Sequence, residues 1–339
     1  MMRKLIKSFV TMTALSGILM QSGCALAANN STRSYDSHPE AAEFIEQMTS
    51  QGFEEAWLKD VLGQAKRQES ILKAISRPAE RRLTWGEYRK IFLGKTRVKQ
   101  GVEFWRQHAD TLSRAEETYG VPAEIIVAII GVETRYGRNM GSYRVLDALA
   151  TLGFDYPKRA SFFRGQLKEY LLMAREEGIS DLTKLKGSYA GAMGFGQFIP
   201  SSFRNFAVDF DGDGKRDIWS NRVDAIGSVA NYFKEHGWKT GEAVRAPVVF
   251  NKPVEDSWVN QGLKPTRTLA QWGELGASTD QALTEEQPAT LMRMQSGKKQ
   301  QHWFGLHNFY VITRYNHSRL YASAVYELSE QVSKAYKGQ

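Results

Sequence analysis

Cysteine is almost missing from this chain: Cys24 is the only one in 339 residues. A lone cysteine excludes an internal disulfide and a cysteine-based metal cluster. Histidine is sparse too, six residues without paired ligand spacing, so a zinc site is not expected. No basic block interleaved with aromatics occurs, and 45 Lys and Arg stand against 37 Asp and Glu. That scatter of Lys and Arg speaks against a nucleic-acid binder, while the modest net +8 suits work along an anionic polymer or an acidic membrane surface. Beyond the first twenty residues no apolar run is long enough to span a membrane, and no internal repeat is found.

What is present begins with a targeting segment. Arg3, Lys4 and Lys7 precede an apolar stretch running to about Met20. Two exits compete. Ser22-Gly23-Cys24 resembles a lipobox that would put a diacylglyceryl group on Cys24, although Gln21 stands where such boxes usually carry Leu. Ordinary cleavage after Ala25-Leu26-Ala27 is the alternative. Residues 1–27 therefore read as an export signal and 28–40, polar and poor in apolar residues, as a tether.

The remainder has the composition of a globular protein, 42% hydrophobic and 24% charged, with length for two or three domains. Eight Trp, fourteen Tyr and seventeen Phe suit sugar stacking or simply a core. Helical periodicity (Phe44, Ile45, Met48; Leu58, Val61, Leu62, Ala65) marks 41–120 as a helical domain. Residues 121–242 are again mostly helical, interrupted by a glycine-rich and an acidic loop. In 243–305, Val248-Val249-Phe250, several turn residues and Ala289-Thr-Leu-Met-Arg-Met294 predict a small β-containing domain. A closing helix is expected from Ser318 to about Ala335.

The most informative residue is Glu133, in a helical run that Pro122 starts and Gly137 is expected to stop. Ile126, Ile129 and Ile130 recur at helical spacing, and Glu133 shares their stripe. No cation on the same helix can neutralise it. Burial of an unpaired carboxylate raises its pKa, and a protonated carboxylic acid is what cleavage of a glycosidic bond needs. A structural Glu that caps a neighbouring helix or pairs with a distant Arg reads equally well at this point.

Two further segments stand out. Gly187, Gly191, Gly194 and Gly196 flank Ser188 and Gln197, which could bind a sugar or orient an acid. A buried helix start packed through small residues is the alternative. Asp209, Asp211, Asp213, Gly214 and Asp217 occupy positions one, three, five, six and nine of an EF-hand loop, with the Lys215 carbonyl at seven. Position twelve is Ser220 instead of Glu, so calcium, sodium or a bare acidic turn are the alternatives.

Gly131-Val-Glu-Thr-Arg-Tyr-Gly137, Gly191-Ala-Met-Gly-Phe-Gly-Gln-Phe-Ile-Pro-Ser-Ser202 and Arg314-Tyr-Asn-His-Ser318, in that order, resemble the lytic murein transglycosylase B family. The resemblance runs from about Ala41 to the C-terminus. It implies a mainly α (α+β) fold: a lysozyme-like helical core over 121–242, a helical domain of 41–120 joined by 306–339, and the small β-containing domain. It implies Glu133 as the single acid/base. Ser188, Gln197, Tyr88, Arg159, Tyr232, Tyr315, Asn316 and Tyr321 would line the substrate groove. Lys158 replaces one of a pair of groove arginines, and Phe162 stands where relatives can have tyrosine. The family's acidic loop is closed by a later Asp, here Asp224, around a structural calcium, and no catalytic cofactor is implied.

The implied reaction cleaves the bond between N-acetylmuramic acid and N-acetylglucosamine in peptidoglycan, giving 1,6-anhydromuramic acid products without water. A hydrolytic muramidase on the same core and an inactive peptidoglycan-binding protein are the rival readings. The expected setting is the periplasm, with an outer-membrane lipid anchor if Cys24 is modified. The expected state is a monomer, and cell-wall synthases or amidases are candidate partners.

Overall fold

A computed structural model describes residues 34–76 and 83–338. The export signal, with Cys24, lies outside them. Fourteen α-helices dominate the described residues. The first seven are α1 (Ala41–Thr49), α2 (Glu55–Gln64), α3 (Glu69–Ser76), α4 (Trp85–Phe92), α5 (Lys95–Gln107), α6 (Ala109–Tyr119) and α7 (Ala123–Thr134). Then come α8 (Val145–Asp155), α9 (Ala160–Glu176), α10 (Pro200–Phe206), α11 (Arg222–Glu235), α12 (Leu269–Glu274), α13 (His307–Tyr315) and α14 (Arg319–Lys337). Strands are short: β1 (Tyr143–Arg144), β2 (Lys186–Gly187), β3 (Arg245–Pro247), β4 (Val249–Phe250), β5 (Arg267–Thr268), β6 (Ala277–Ser278), β7 (Pro288–Ser296) and β8 (Lys299–Gly305). The mainly helical, lysozyme-like class expected from the sequence is the observed one.

The chain forms two compact units that interleave in sequence. Of the described residues, one unit holds 83–139 and 206–338, the other 34–76 and 140–205. These units cut across the segments read from the sequence.

In the first unit α7 is the central element. Ten of its twelve residues are buried, Glu124 and Glu133 being the half-buried pair. The isoleucine stripe is therefore only part of a helix enclosed on every side, as an all-apolar composition requires. α14 and α5 pack along it, α6 and α11 complete the surround, and α4 packs on α14. α4 starts with a capping box in which Thr84 and Glu87 satisfy each other's backbone N–H. α14 starts on Ser318, whose hydroxyl accepts from the Tyr321 amide. The same unit contains an antiparallel sheet of order β3-β8-β7-β5, in which Met292 faces Trp303 and Arg293 faces His302. Its apolar face joins Ala246, Trp272, Ala277, Ala289, Leu291, Phe304 and Leu306 in a separate core.

The second unit pairs α8 with α9 and packs α3 against α8. It also takes in the last residues of the segment expected as a tether, of which 28–33 lie outside the described residues. Residues 35–37 form a short 3-10 turn, and Tyr35 is 2% exposed. Its hydroxyl donates to Asp155 at 2.5 Å, and its ring stacks on Phe154. One well-placed aromatic anchors a segment whose average composition is polar.

Candidate active site

Glu133 is the penultimate residue of α7, and the backbone after it is unusual. Arg135 and Tyr136 are left-handed, with φ of 52° and 59°, before Gly137 at 82°. The helix thus ends at Thr134, earlier than Gly137 suggested. Non-glycine residues in this region are strained by about 1 kcal/mol or more each, and such strain clusters at functional sites. The surroundings fix the turn. Thr134 Oγ1 donates to the Ile130 carbonyl and accepts from the Gly137 amide. Tyr136 folds back, its ring filling space that glycines leave open on two helices. A Cβ at Gly101 or Gly131 would lie 2.5 or 2.6 Å from its hydroxyl. Arg97 of α5 donates to the Gly131 carbonyl, placing a cation at the negative end of α7.

Around the carboxyl of Glu133 stand tyrosines. Tyr321 of α14, fully buried, donates its hydroxyl to Glu133 Oε1 at 2.6 Å. Tyr315, at the end of α13, is close enough for the Glu133 charge to raise its phenol further above a range that burial has already lifted. Tyr321 is raised well above the ordinary phenol value by the same two causes, and Tyr88 of α4 adds to it. Burial pushes Glu133 up to about 7, against the smaller opposing effect of the Tyr321 hydrogen bond. No carboxylate contributes to that shift. The residue nevertheless keeps some accessible surface. A protonated acid, dry on most sides and reachable on one, can donate a proton and later take one back.

Tyr232 of α11 is 7% exposed, and its hydroxyl donates to the Arg314 carbonyl at 2.7 Å. With Phe233 it packs against the Tyr315 ring, at centroid distances of 4.7 and 5.7 Å. His236 stacks on the Tyr232 ring at 4.0 Å. Asn316 caps α13 and is half-buried beside Tyr315. The first unit thus brings together Glu133, Tyr88, Tyr232, Tyr315, Asn316 and Tyr321. Arg97 and Phe233 were not singled out from the sequence, because the contacts that give them a role join residues distant in the chain. His236 meets Tyr232 one helical turn earlier, a local spacing that could have marked it.

The second unit holds Ser188, Gln197, Arg159, Lys158 and Phe162. The glycine-rich segment is a tight loop with bridges Gly187 to Met193 and Met193 to Phe198, and α10 begins only at Pro200. Gly191, at φ 78°, passes so near Leu149 that a Cβ would meet its Cδ2 at 2.6 Å. Ser188 Oγ accepts from the Ala190 and Ala192 amides, so its proton is left to donate. Gln197, left-handed at φ 53°, donates its amide to the Met140 and Gly194 carbonyls, leaving Oε1 as an acceptor. Arg159 lies 4.3 Å over the Phe162 ring.

The acidic loop lies in the first unit. Carboxylate oxygens of Asp209, Asp211 and Asp213 come within 4.8 Å of one another. Their chemistry suits a hard, oxygen-seeking cation. Asp224 is fully buried and works on the backbone: its oxygens accept from the Phe210 and Asp217 amides, both at 2.8 Å. Burial raises its pKa despite those donors. Asp217 accepts from the Trp219 and Ser220 amides, both at 2.9 Å.

Comparison with known proteins gives the family. Residues 36–330 match the transglycosylase SLT domain. The chain is 47% identical to the membrane-bound lytic murein transglycosylase B of Escherichia coli K12 over 311 residues, covering 89% of this chain and 84% of that protein. The catenated lytic transglycosylase SltB1 of Pseudomonas aeruginosa superposes with a TM-score of 0.86 at 55% identity, over 89% of this chain and 99% of that one. Escherichia coli Slt35 in complex with calcium gives 0.81 at 48% identity, over 89% and 95%. The chain belongs to the lytic murein transglycosylase family, peptidoglycan-cleaving enzymes built on the transglycosylase SLT domain.

Proposed function

We propose that Glu133 is the single acid/base of a non-hydrolytic cleavage of peptidoglycan glycan strands. The observation that carries this reading is a lone carboxyl, pushed up to about 7 by burial and held by a tyrosine. Protonated Glu133 donates to the glycosidic oxygen between N-acetylmuramic acid and N-acetylglucosamine, and the N-acetylglucosamine end leaves as an alcohol. The substrate's N-acetyl carbonyl oxygen bonds to C1 as the C1–O bond breaks. Glu133, now a carboxylate, removes the proton from the C6 hydroxyl. O6 then displaces the N-acetyl oxygen from C1, closing the 1,6-anhydro ring and restoring protonated Glu133. No water is consumed. The Ser188 proton is available to the N-acetyl carbonyl, and the Gln197 Oε1 to a sugar hydroxyl. Arg159 would supply charge to a bound glycan, and the half-buried Tyr315 a ring surface. Tyr232, committed to the Arg314 carbonyl, acts mainly by backing Tyr315. Two relatives support a glycan ligand: Slt35 forms a complex with bulgecin A, and SltB3 of Pseudomonas aeruginosa one with NAG-anhNAM-pentapeptide.

A structural calcium would be held by Asp209, Asp211, Asp213 and the Lys215 carbonyl, where it would neutralise the clustered carboxylates. Asp217 and Asp224 would secure the loop around it. The protein would act in the periplasm, free after cleavage near Ala27 or tethered through Cys24. No helix among the described residues is long and apolar enough to cross a membrane. Membrane extraction of wild type against Cys24→Ala separates these exits, because only a lipidated protein changes fraction.

Mass spectrometry of products from purified sacculi tests the reaction. Anhydromuropeptides from wild type and none from Glu133→Gln are expected. Reducing-end products would make this a hydrolase, and release by Glu133→Gln would remove Glu133 from its role.

A further inference from the structure

A second charged cluster in the first unit has no part in the chemistry above. Glu327 lies on α14, six residues after Tyr321, with its side chain 13% exposed. Its Oε2 accepts from Arg89 Nη2 of α4 at 3.0 Å, and its Oε1 from Arg245 Nη2 of β3 at 3.3 Å. Arg245 is 5% exposed, and its guanidinium lies 4.0 Å over the Trp303 ring and 5.0 Å from that of Tyr326. Glu330 stands 3.7 Å from the same nitrogen. Arg89 Nε, Arg245 Nε and Arg245 Nη1 meet no acceptor among the described residues. The two oxygens of Glu327 are therefore the main protein acceptors that hold these guanidinium groups to α14.

Two of the three elements so joined carry tyrosines of the site. Tyr88 directly precedes Arg89 on α4. Tyr321 and Glu327 are six residues apart on one helix, about 9 Å along its axis, a span over which a helix moves as a rigid rod. The two phenols are near enough that Tyr88 affects Tyr321 electrostatically. A slide or rotation of α14 against α4 must therefore be felt at the Tyr321 hydroxyl, 2.6 Å from Glu133. A hydrogen bond of that length weakens steeply with misalignment.

We propose that Glu327 is a positioning residue for the reaction. By clamping Arg89 of α4 and Arg245 of β3 to α14, it sets the Tyr321 hydrogen bond to Glu133. The proposal rests on the reading of Glu133 as the acid. Removing one partner of a buried ion pair leaves the other charges uncompensated, and the structure relaxes around them. The direction of the effect follows from the site. The Tyr321 bond lowers the Glu133 pKa, so losing it raises that pKa and carries the basic limb of the activity profile to higher pH. Facing the acid are Tyr321 from α14 and Tyr315 from α13, while Arg97 from α5 binds the Gly131 carbonyl of its helix. None of these belongs to the Glu327 cluster, so the limb reports the clamp through the placement of α14 against α4, whose Tyr88 also acts on Tyr321.

The test is a double-mutant cycle, reading kcat and KM against pH on soluble glycan strands for wild type, Tyr321→Phe, Glu327→Gln and the double variant. Glu327→Gln should lower kcat about tenfold or more with little change in KM, the scale of a small misplacement of a reacting group. Its basic limb should move upward, as in Tyr321→Phe, and the double variant should lose less than the two effects combined. Limb position does not depend on the folded fraction. Should Glu327→Gln fail to fold, Arg89→Gln, where the side chain is 43% exposed, carries the same test. An unmoved limb, or fully additive losses, would overturn the proposal and leave the cluster purely structural. Product analysis of the same digests keeps the two questions apart. Reducing-end products from wild type would overturn the transglycosylase reading, while the cycle would still judge Glu327 through the same acid.

Discussion

Glu133 was legible as a candidate because an acid that ends an all-apolar helix conflicts with its surroundings. Its partners were not. Tyr321 meets it across 188 residues, and no local pattern marks such a contact, so only the family resemblance pointed there. The pKa sets an expectation for activity and one for stability. Activity should be full while Glu133 is protonated and fall as pH rises through about 7. Tyr321→Phe should carry that fall to higher pH, which a rate–pH profile reads directly. Stability has the same direction: a carboxyl raised above its unfolded value of 4.5 contributes stability fully below that value and loses it as pH rises through about 7. Glu133→Gln removes this liability. It should lower the rate by at least about a thousandfold, the upper range for a general acid. It should also be more stable than wild type at pH 8, by at most about 3 kcal/mol, and much less so at pH 4. Denaturant melts at the two pH values check this; equal differences would mean that Glu133 carries no burial strain.

At the scale of elements, α7 and the acidic loop show what sequence patterns reach. The helix, its start at Pro122 and its apolar character were readable. Its end was not, because no Gly, Asn or Pro occupies 135 or 136 to announce left-handed turns. The turn is imposed by Tyr136 packing between two glycines, so Gly101→Ala and Gly131→Ala should each destabilise by about 1–3 kcal/mol through overpacking. Urea titration measures it; neutral variants would show that the ring moves aside freely. In the acidic loop, one, three, five spacing located the three clustered carboxylates. Spacing could not show that Asp224 would spend both oxygens on backbone amides. The two roles separate experimentally. Calcium should raise the melting temperature of wild type as its concentration increases, through a gain in stability of about 2.7 kcal/mol at a hundredfold over Kd. Asp209→Ala should abolish that rise. Asp224→Ala should lower the melting temperature with calcium or with chelator, since its amide contacts need no ion.

For the molecule as a whole, helical content and the strand-rich patch followed from periodicity, but the division into two units did not. Which segments join is decided by contacts between distant parts of the chain, and composition carries no record of those. The first unit depends on its last segment. α14 packs on α7, α5 and α4 and supplies both the Tyr321 hydroxyl and the Glu327 carboxylate. Its buried residues, Tyr321, Ala322, Ala324, Val325, Leu328 and Val332 among them, cover apolar surface that α7 cannot expose to water. A chain ending at residue 318 would leave α7 uncovered along one side and its acid without a hydrogen-bond partner. Such a truncation should lose activity, bind hydrophobic dye and melt without a cooperative transition, while wild type melts sharply. Closing a contact over 188 residues is entropically slow, so refolding of the full chain should recover secondary structure before activity. Simultaneous recovery of circular dichroism and cleavage would instead mean that α14 docks early, as part of the folding nucleus.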